Sequence, residues 1–444
     1  MPSNAVTLPV FFDGFDDRQA SCDSAFDSRQ KLVLQRRHRL RKDRRLRVVL
    51  YSHDTMGLGH IRRNILLAQC LCESDPAIDV LLITGARESG GFNLPEGVDV
   101  IVLPALHKAV DGSYGARNLD LPLDDLTAIR SQIVCSTIKS FQPDLVIVDN
   151  VARGVNGELD AALSYIQQHG GIRCVLGLRD IQDEPENVVR EWQQQKCLST
   201  IRNIYHAVWV YGDARVFDPR QEYSLPRDIA RKIQFTGYLD PRIRARVRQQ
   251  GETGRVTSAR PFGLCLVGGG QDGAALALAF AAATHPAGMD AVIITGPYID
   301  PESMAKLQAL ARQRPGLKLL EFVAEPTEML RDAAYVVSMG GYNSVCEVVA
   351  FGKPALVVPR VVPRREQIIR AERLRDLGII DMLHPDDLDA DRLSTWIASL
   401  AGKCGPASHG ILDMNAIQRV PQYFVEQIMQ LGQPLENHLC WAKL

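Results

Sequence analysis

From residue 47 onward, short apolar runs rich in β-branched residues alternate with longer stretches whose apolar positions recur at helical spacing. RVVLYS (47–52), DVLLITG (79–85), VDVIVLP (98–104), DLVIVDN (144–150), RCVLGL (173–178), AVWVYG (207–212) and KIQFTG (232–237) are short and bounded by turn or helix signals, which predicts buried strands. The intervening stretches, such as NILLAQCLCESD, are long enough to be crossover helices. Strand and helix in alternation imply a parallel sheet covered on both faces. The rhythm breaks over 241–262, PRIRARVRQQGETGRVTSARPF, a polar and charged segment that predicts a linker. It restarts with GLCLVGG (263–269), DAVIITG (290–296), LKLLEFV (317–323), YVVSMGG (335–341), PALVVPR (354–360) and IIDML (379–383). The expected fold is therefore α/β, with two tandem Rossmann-like parallel-sheet domains, 46–240 and 263–400. A helical extension follows over 401–444, whose amphipathic QYFVEQIMQL (422–431) is expected to pack across the domains. Two open α/β sheets frame a cleft at their strand C-terminal ends, and the active site is expected there.

Composition narrows this little. The 444 residues carry a formal net charge of −1, with 46% hydrophobic and 23% charged residues, so no overall bias points to nucleic acid or membrane. The ten cysteines are scattered without a CxxC, which predicts reduced thiols in a cytoplasmic protein. No apolar run reaches the roughly 18 residues of a membrane span, and the start lacks signal-peptide order. Residues 1–45 read as a disordered lead-in containing one exception, the basic run RQKLVLQRRHRLRKDRRLR (29–47). It is either a solvated segment or a weak attachment to anionic lipid, worth about 1 kcal/mol per nearby basic residue. The second option would place the protein at the inner face of the cell membrane. Without interleaved aromatics the run does not predict nucleic-acid binding.

Three glycine-rich turns each follow a strand and open a helix, the arrangement that presents free backbone N–H groups to a phosphate. SHDTMGLGHIRRN (52–64) places Arg62 where a dinucleotide fingerprint wants a third small residue, and no acid closes the second strand, so no NAD site is expected. VGGGQDGAAL (267–276) has three consecutive glycines that let a ligand approach the backbone without a Cβ clash, and it lacks the Walker pattern. SMGGYNSVCEVVAFGKP (338–354) ends a strand at Gly340 and Gly341. Asn343 or Ser344 is placed to cap the next helix, and Glu347 lies one turn in. That carboxylate either compensates the helix dipole or accepts a diol from two adjacent hydroxyls.

GGGQDG (268–273), LLEFVAEPTEMLRDAAYVVSMGGYNSVCEVVAFGKPALVVP (319–359) and REQIIRA (365–371), in this order and spacing, resemble the donor domain of the MurG-like glycosyltransferases, the family 28 group with the GT-B fold. The resemblance implies that Gly269, Gly270 and Gln271 face the donor diphosphate and that backbone groups at Phe322 and Val323 receive the base. It implies that Glu347 binds the ribose, that Gly341, Asn343 and Ser344 also face the phosphates, and that Glu366 and Gln367 contact the sugar. The family carries Gln at both of the last two positions, so Glu366 leaves the sugar open. The implied co-substrate is a nucleotide-diphosphate sugar, with a UDP-sugar expected, and no further cofactor. No loop supplies a DxD metal motif, and DDLDAD (386–391) reads as a helix start, so metal-independent chemistry is expected.

Transfer of a hexosyl group needs an acceptor hydroxyl deprotonated and a diphosphate leaving group stabilised. His60, after Gly59 at the start of the first helix, is the leading candidate base, with His53 and Asp54 in the same turn as alternatives or as groups that orient it. Gly57 and Gly59, Asp149 and Asn150, and Arg179 and Asp180 end strands or turns of the same sheet and are placed on the acceptor side. The expected reaction is direct displacement with inversion onto a glycan, polysaccharide or lipid-linked hydroxyl. Other enzyme readings are a nucleotide-sugar hydrolase, because GLGHIRRN (57–64) also resembles the GxGHxxR turn of pseudaminic-pathway hydrolases, and an epimerase, for which the cleft motifs hold few carboxylates. The extra polar loop LHKAVDGSYGARNLDLPLDD (106–125) suits a large acceptor and favours transfer. A non-catalytic nucleotide-sugar binder is the remaining reading.

Overall fold

The computed structural model describes residues 45–54, 57–108, 113–243, 260–269, 272–323, 326–401 and 412–431. Expectations for the lead-in up to residue 44, for Gly270 and Gln271, and for most of the linker fall outside these residues.

Each predicted strand forms. The first sheet has seven strands in the order β3-β2-β1-β6-β7-β8-β9. Its members are β1 (Leu46–Ser52), β2 (Ile78–Thr84), β3 (Val98–Val102), β6 (Leu145–Asp149), β7 (Arg173–Arg179), β8 (Ala207–Tyr211) and β9 (Ile233–Phe235). The second has six, β12-β11-β10-β13-β14-β15. These are β10 (Phe262–Leu266), β11 (Asp290–Ile294), β12 (Leu317–Leu320), β13 (Tyr335–Ser338), β14 (Ala355–Val357) and β15 (Asp381–Met382). Both sheets are parallel throughout, which fits strands apolar on both faces, covered by helices. A small antiparallel hairpin, β4 (Leu106–Lys108) with β5 (Tyr114–Ala116), lies inside the segment expected to be a polar loop.

Strand order reverses between β1 and β6 in the first sheet and between β10 and β13 in the second. The loops leaving two such strands diverge to opposite faces and open a crevice at their C-terminal ends. Ser52–Asp54 and Asp149–Asn150 border the first crevice. Gly268–Gly269 and Gly340–Gly341 border the second.

Both sheets belong to one compact unit, and charged groups cross between them. Asp180, at the end of β7, is buried and accepts two hydrogen bonds from Arg370 of the helix Glu366–Asp376, at 2.8 and 2.6 Å. Tyr238 Oη donates to the same carboxylate at 3.0 Å. Arg370 also donates to Gly340 O at 3.2 Å. Nearer the surface, Arg364 pairs with Glu191, Arg365 with Glu184 and Arg373 with Glu222. Asp180 is therefore an inter-domain anchor with both oxygens engaged, not a free acceptor-side group.

The last helix, Ala416–Met429, departs from expectation. It returns to the N-terminal domain instead of bridging both domains: Arg173 donates to Gln427 Oε1 at 3.0 Å, and Tyr423 Oη donates to Phe235 O at 3.0 Å. Its buried face of Val420, Phe424 and Ile428 explains why the amphipathic pattern was legible. The crossing is tight at Gly237, where φ is +83° and a Cβ would meet Asp413 O at 2.8 Å. Among the described residues no helix is long and apolar enough to cross a membrane.

Removing one member of a buried ion pair leaves the other charge uncompensated, at a cost of about 3–5 kcal/mol. Asp180→Ala is expected to lower unfolding free energy by that amount in urea titrations. Asp180→Leu combined with Arg370→Met is expected to recover most of it, and equal losses in the single and double variants would refute the anchor role.

Candidate active site

Two cavities meet between the sheets. The smaller, about 500 Å3, is walled by the glycine turns and the start of the helix Tyr342–Ala350. The larger, about 970 Å3, opens on the N-terminal side between β6, β7 and the hairpin segment. His60 and Arg179 line both.

The smaller cavity gathers most of the expected donor residues: Gly269, Phe322, Val323, Gly341, Asn343, Ser344 and Glu347. Its helix Tyr342–Ala350 starts at Gly341 with no side-chain cap and no acidic residue in the first turn. The first N–H groups are left to whatever fills the cavity. Asn343, expected as a possible cap, instead donates across the cleft to Gly59 O at 3.1 Å. Glu347 is buried and receives a hydrogen bond from Arg62 of the opposite domain at 3.1 Å. Gly340 adopts φ +72° and supports the turn from outside the cavity wall.

The turn at Gly268–Gly269 is held from beneath by a residue with no assigned role in the sequence. Gly296, at φ +73°, lies so close that a Cβ there would meet Gly269 C at 2.4 Å and Gly268 O at 2.5 Å. Tyr298 N donates to Gly269 O at 3.0 Å. Gly57 and Gly59, expected on the acceptor side, line the smaller cavity together with the expected donor residues and do not line the larger.

His60 sits on the first turn of the helix Gly59–Ser74, and its Nδ1 lies 2.5 Å from Asp149 Oδ2. Arg63, three residues along the same helical face, contacts the same carboxylate twice, at 2.8 and 2.5 Å. Burial opposes the charge on Asp149, but Arg63 and then His60 outweigh it and hold the carboxyl well below the usual carboxylate range. Arg63 Nη2 also lies 3.0 Å from His60 Nδ1; an ionised Asp149 suits the tautomer with its proton on Nδ1, which would leave Nε2 as the basic lone pair.

His53 stacks obliquely on His60, with ring centroids 4.8 Å apart. Burial, with a smaller contribution from the neighbouring His60, pushes its pKa well below the ordinary imidazole value. Asp54 faces away from both cavities. Its carboxylate accepts from Ser52, from Thr84 Oγ1 at 2.6 Å and from Ile61 N at 3.1 Å, fixing a turn in which Asp54 itself has φ +39°. It is a positioning residue.

Buried polar atoms without partners cluster on the larger cavity: His53 Nδ1, Asn150 Oδ1, Arg179 Nε and Glu366 Oε2. Such atoms are few in folded proteins, and several converging on one cavity mark a site for a polar ligand. Glu366 lies here, with Oε1 taken by Arg360 at 2.8 Å. Burial opposes its charge, but Arg179, Arg360 and Arg370 keep its pKa low. Gln367 does not reach either cavity wall; its Oε1 accepts from Arg360 N at 2.9 Å. Tyr114 of the hairpin and Leu123 also border this cavity, so the extra segment does shape it.

Residues 264–403 match the glycosyltransferase family 28 C-terminal domain. An uncharacterized glycosyltransferase of Methanosarcina mazei is 22% identical over 68% of this chain and 77% of its own length. The UDP-N-acetylglucosamine–N-acetylmuramyl-(pentapeptide) pyrophosphoryl-undecaprenol N-acetylglucosamine transferase of Lactiplantibacillus plantarum is 22% identical over 79% of this chain and 89% of its own. A putative UDP-N-acetylglucosamine 2-epimerase from Listeria monocytogenes shares the fold, with a TM-score of 0.58 at 14% identity over 88% of this chain and 98% of that one. Fold alone thus spans transferases and epimerases, and the family 28 domain distinguishes them here. The protein is thus a glycosyltransferase with the GT-B fold that carries a family 28 C-terminal domain over residues 264–403 and is similar to the MurG-type transferases.

Proposed function

We propose that the chain is an inverting, metal-independent transferase that moves a hexosyl group from a UDP-sugar in the smaller cavity to a hydroxyl in the larger. One observation carries this reading: His60, oriented by Asp149, stands where the two cavities join. An acceptor hydroxyl there attacks the anomeric carbon from the face opposite the diphosphate while His60 Nε2 takes its proton. The bond from the anomeric carbon to the phosphate oxygen breaks, and the electron pair leaves with the nucleoside diphosphate. A single base with a single displacement inverts the configuration. The glycine turn and the uncapped start of the helix Tyr342–Ala350 supply N–H dipoles for the leaving charge, which gives the reaction a route without metal or other cofactor. Ion pairs crossing between the domains favour a closed cleft, where water competes poorly with the acceptor.

The acceptor is a glycan or lipid-linked glycan. The larger cavity supports this, as does the Lactiplantibacillus plantarum relative, whose name specifies a pyrophosphoryl-undecaprenol acceptor. A cytoplasmic enzyme drawn to the inner membrane face through basic residues 29–47 would meet such an acceptor. Nucleic acid has no part in this scheme.

The test begins with thermal shifts against UDP, GDP, TDP and their sugars; a ligand at about 100 Kd adds roughly 2.7 kcal/mol of stability. UDP and UDP-sugars are expected to give the largest shift, and Glu347→Ala to abolish it. His60→Ala and Asp149→Asn are expected to keep the shift while turnover falls roughly 10²-fold or more. Full activity in His60→Ala would remove it as the base, and sugar release at an equal rate without acceptor would replace transfer by hydrolysis. Gly296→Ala displaces the glycine turn from below, so nucleoside diphosphate binding is expected to weaken about tenfold, roughly 1.4 kcal/mol. Unchanged affinity would show that the turn does not touch the diphosphate.

A further inference from the structure

Three arginines line the smaller cavity, and two are committed to carboxylates: Arg62 to Glu347 at 3.1 Å and Arg63 to Asp149 at 2.5 Å. The third, Arg179 at the end of β7, hydrogen-bonds no carboxylate among the described residues, and its Nε is buried without a partner. Of its acidic neighbours, Asp180 is fully engaged, whereas Glu366 keeps Oε2 without a partner. Both oxygens of Asp180 serve Arg370, and Glu366 Oε1 serves Arg360. Burial, together with the like charges of Arg63 and Arg370, lowers the Arg179 pKa, against the opposing pull of Glu366. Its buried Nε therefore keeps a donor that no described residue takes up.

From this we infer that Arg179 is a catalytic residue that binds the donor diphosphate and matches the charge it gains as the sugar departs. The inference rests on the transferase reading above. Arg179 shares a cavity wall with Gly268, Gly269, Gly341 and the uncapped helix start, all from the opposite domain. An anion held by those N–H groups completes its shell with a guanidinium from the N-terminal domain. Arg179 also borders the larger cavity beside His60, so it stands at the point where the bond to the leaving oxygen breaks. When the acceptor oxygen bonds to the anomeric carbon, its proton passes to His60 Nε2. The electron pair of the broken bond stays on the terminal phosphate oxygen facing Arg179. A nucleoside diphosphate gains this contact and a monophosphate, one phosphate short, does not. The cation comes from the domain opposite the nucleotide, so the leaving group is fully neutralised only with the cleft closed.

The experiment compares UDP with UMP on the wild-type chain, Arg179→Gln and Arg179→Lys, by calorimetric titration together with kcat and KM. If GDP or TDP gives the larger wild-type shift, that nucleotide and its monophosphate replace them. Arg179→Gln is expected to weaken diphosphate binding about tenfold, leave monophosphate binding unchanged and lower kcat about 100-fold. Arg179→Lys, which keeps the charge without the planar fork, is expected to fall between. Unchanged monophosphate binding in each variant shows that its donor domain is folded. Equal losses for both nucleotides, or a rise in acceptor KM with diphosphate affinity unchanged, would overturn the assignment, the latter placing the anion on the acceptor. A wild-type chain that binds no nucleoside diphosphate overturns the transferase reading itself, and this assignment with it.

Discussion

A single buried carboxylate organises the N-terminal side of the cleft. Asp149 ends β6 at the point where the first sheet reverses its strand order, and it is almost fully enclosed. An unpaired carboxylate there would cost several kcal/mol, and Arg63 and His60 together remove that cost. The same pairing that makes the burial tolerable holds the His60 ring at the junction of the two cavities. Arg63 is steadied in turn by two rings, Tyr211 at 6.0 Å and Tyr342 at 5.6 Å. Tyr342 opens a helix of the other domain and also contacts Arg370, so the geometry around His60 is tied to how the two sheets meet.

The two halves use the same architecture for different chemistry. Both open a crevice at a switch point of a parallel sheet. The C-terminal half offers backbone: glycine turns and an uncapped helix start, suited to phosphate oxygens that recur in many donors. On the proposed reading the N-terminal half offers side chains: an imidazole, an amide and a carboxylate suited to a reacting hydroxyl, and a guanidinium suited to the leaving phosphate. Helices away from the cleft show the contrast. Those at Pro301–Gln313 and Ala390–Ser399 begin with Asp300 and Asp389 bonded to their first turns.

Much of this was legible in the amino-acid sequence because the relevant signals are local. Strands buried on both faces read as continuous apolar runs, glycine turns announce themselves by composition, and Glu347 follows its turn at a fixed distance. Long-range pairing was not legible. His60 and Asp149 stand 89 residues apart, and only the adjacency of β1 and β6 brings them together. Asp180 carries the same local signature as Asp149, a polar residue at a strand end. Its partner lies 190 residues away across the domain interface, which turns it from a site residue into an anchor. Asp54 sits in the right turn but spends its carboxylate on the backbone and hydroxyls of that turn. Strands of three residues, as in the hairpin β4–β5, are too short to show a period. The amphipathic last helix revealed that it packs, but not onto which domain.

The most direct test is a crystal structure of the chain with UDP. The expected result is a diphosphate seated between the Gly268–Gly269 turn and the start of the helix Tyr342–Ala350, with the ribose on Glu347 in place of Arg62 and His60 facing the terminal phosphate across the cavity junction. A diphosphate lodged in the larger cavity, or remote from both turns, would contradict the assignment of donor and acceptor sides from which everything else follows.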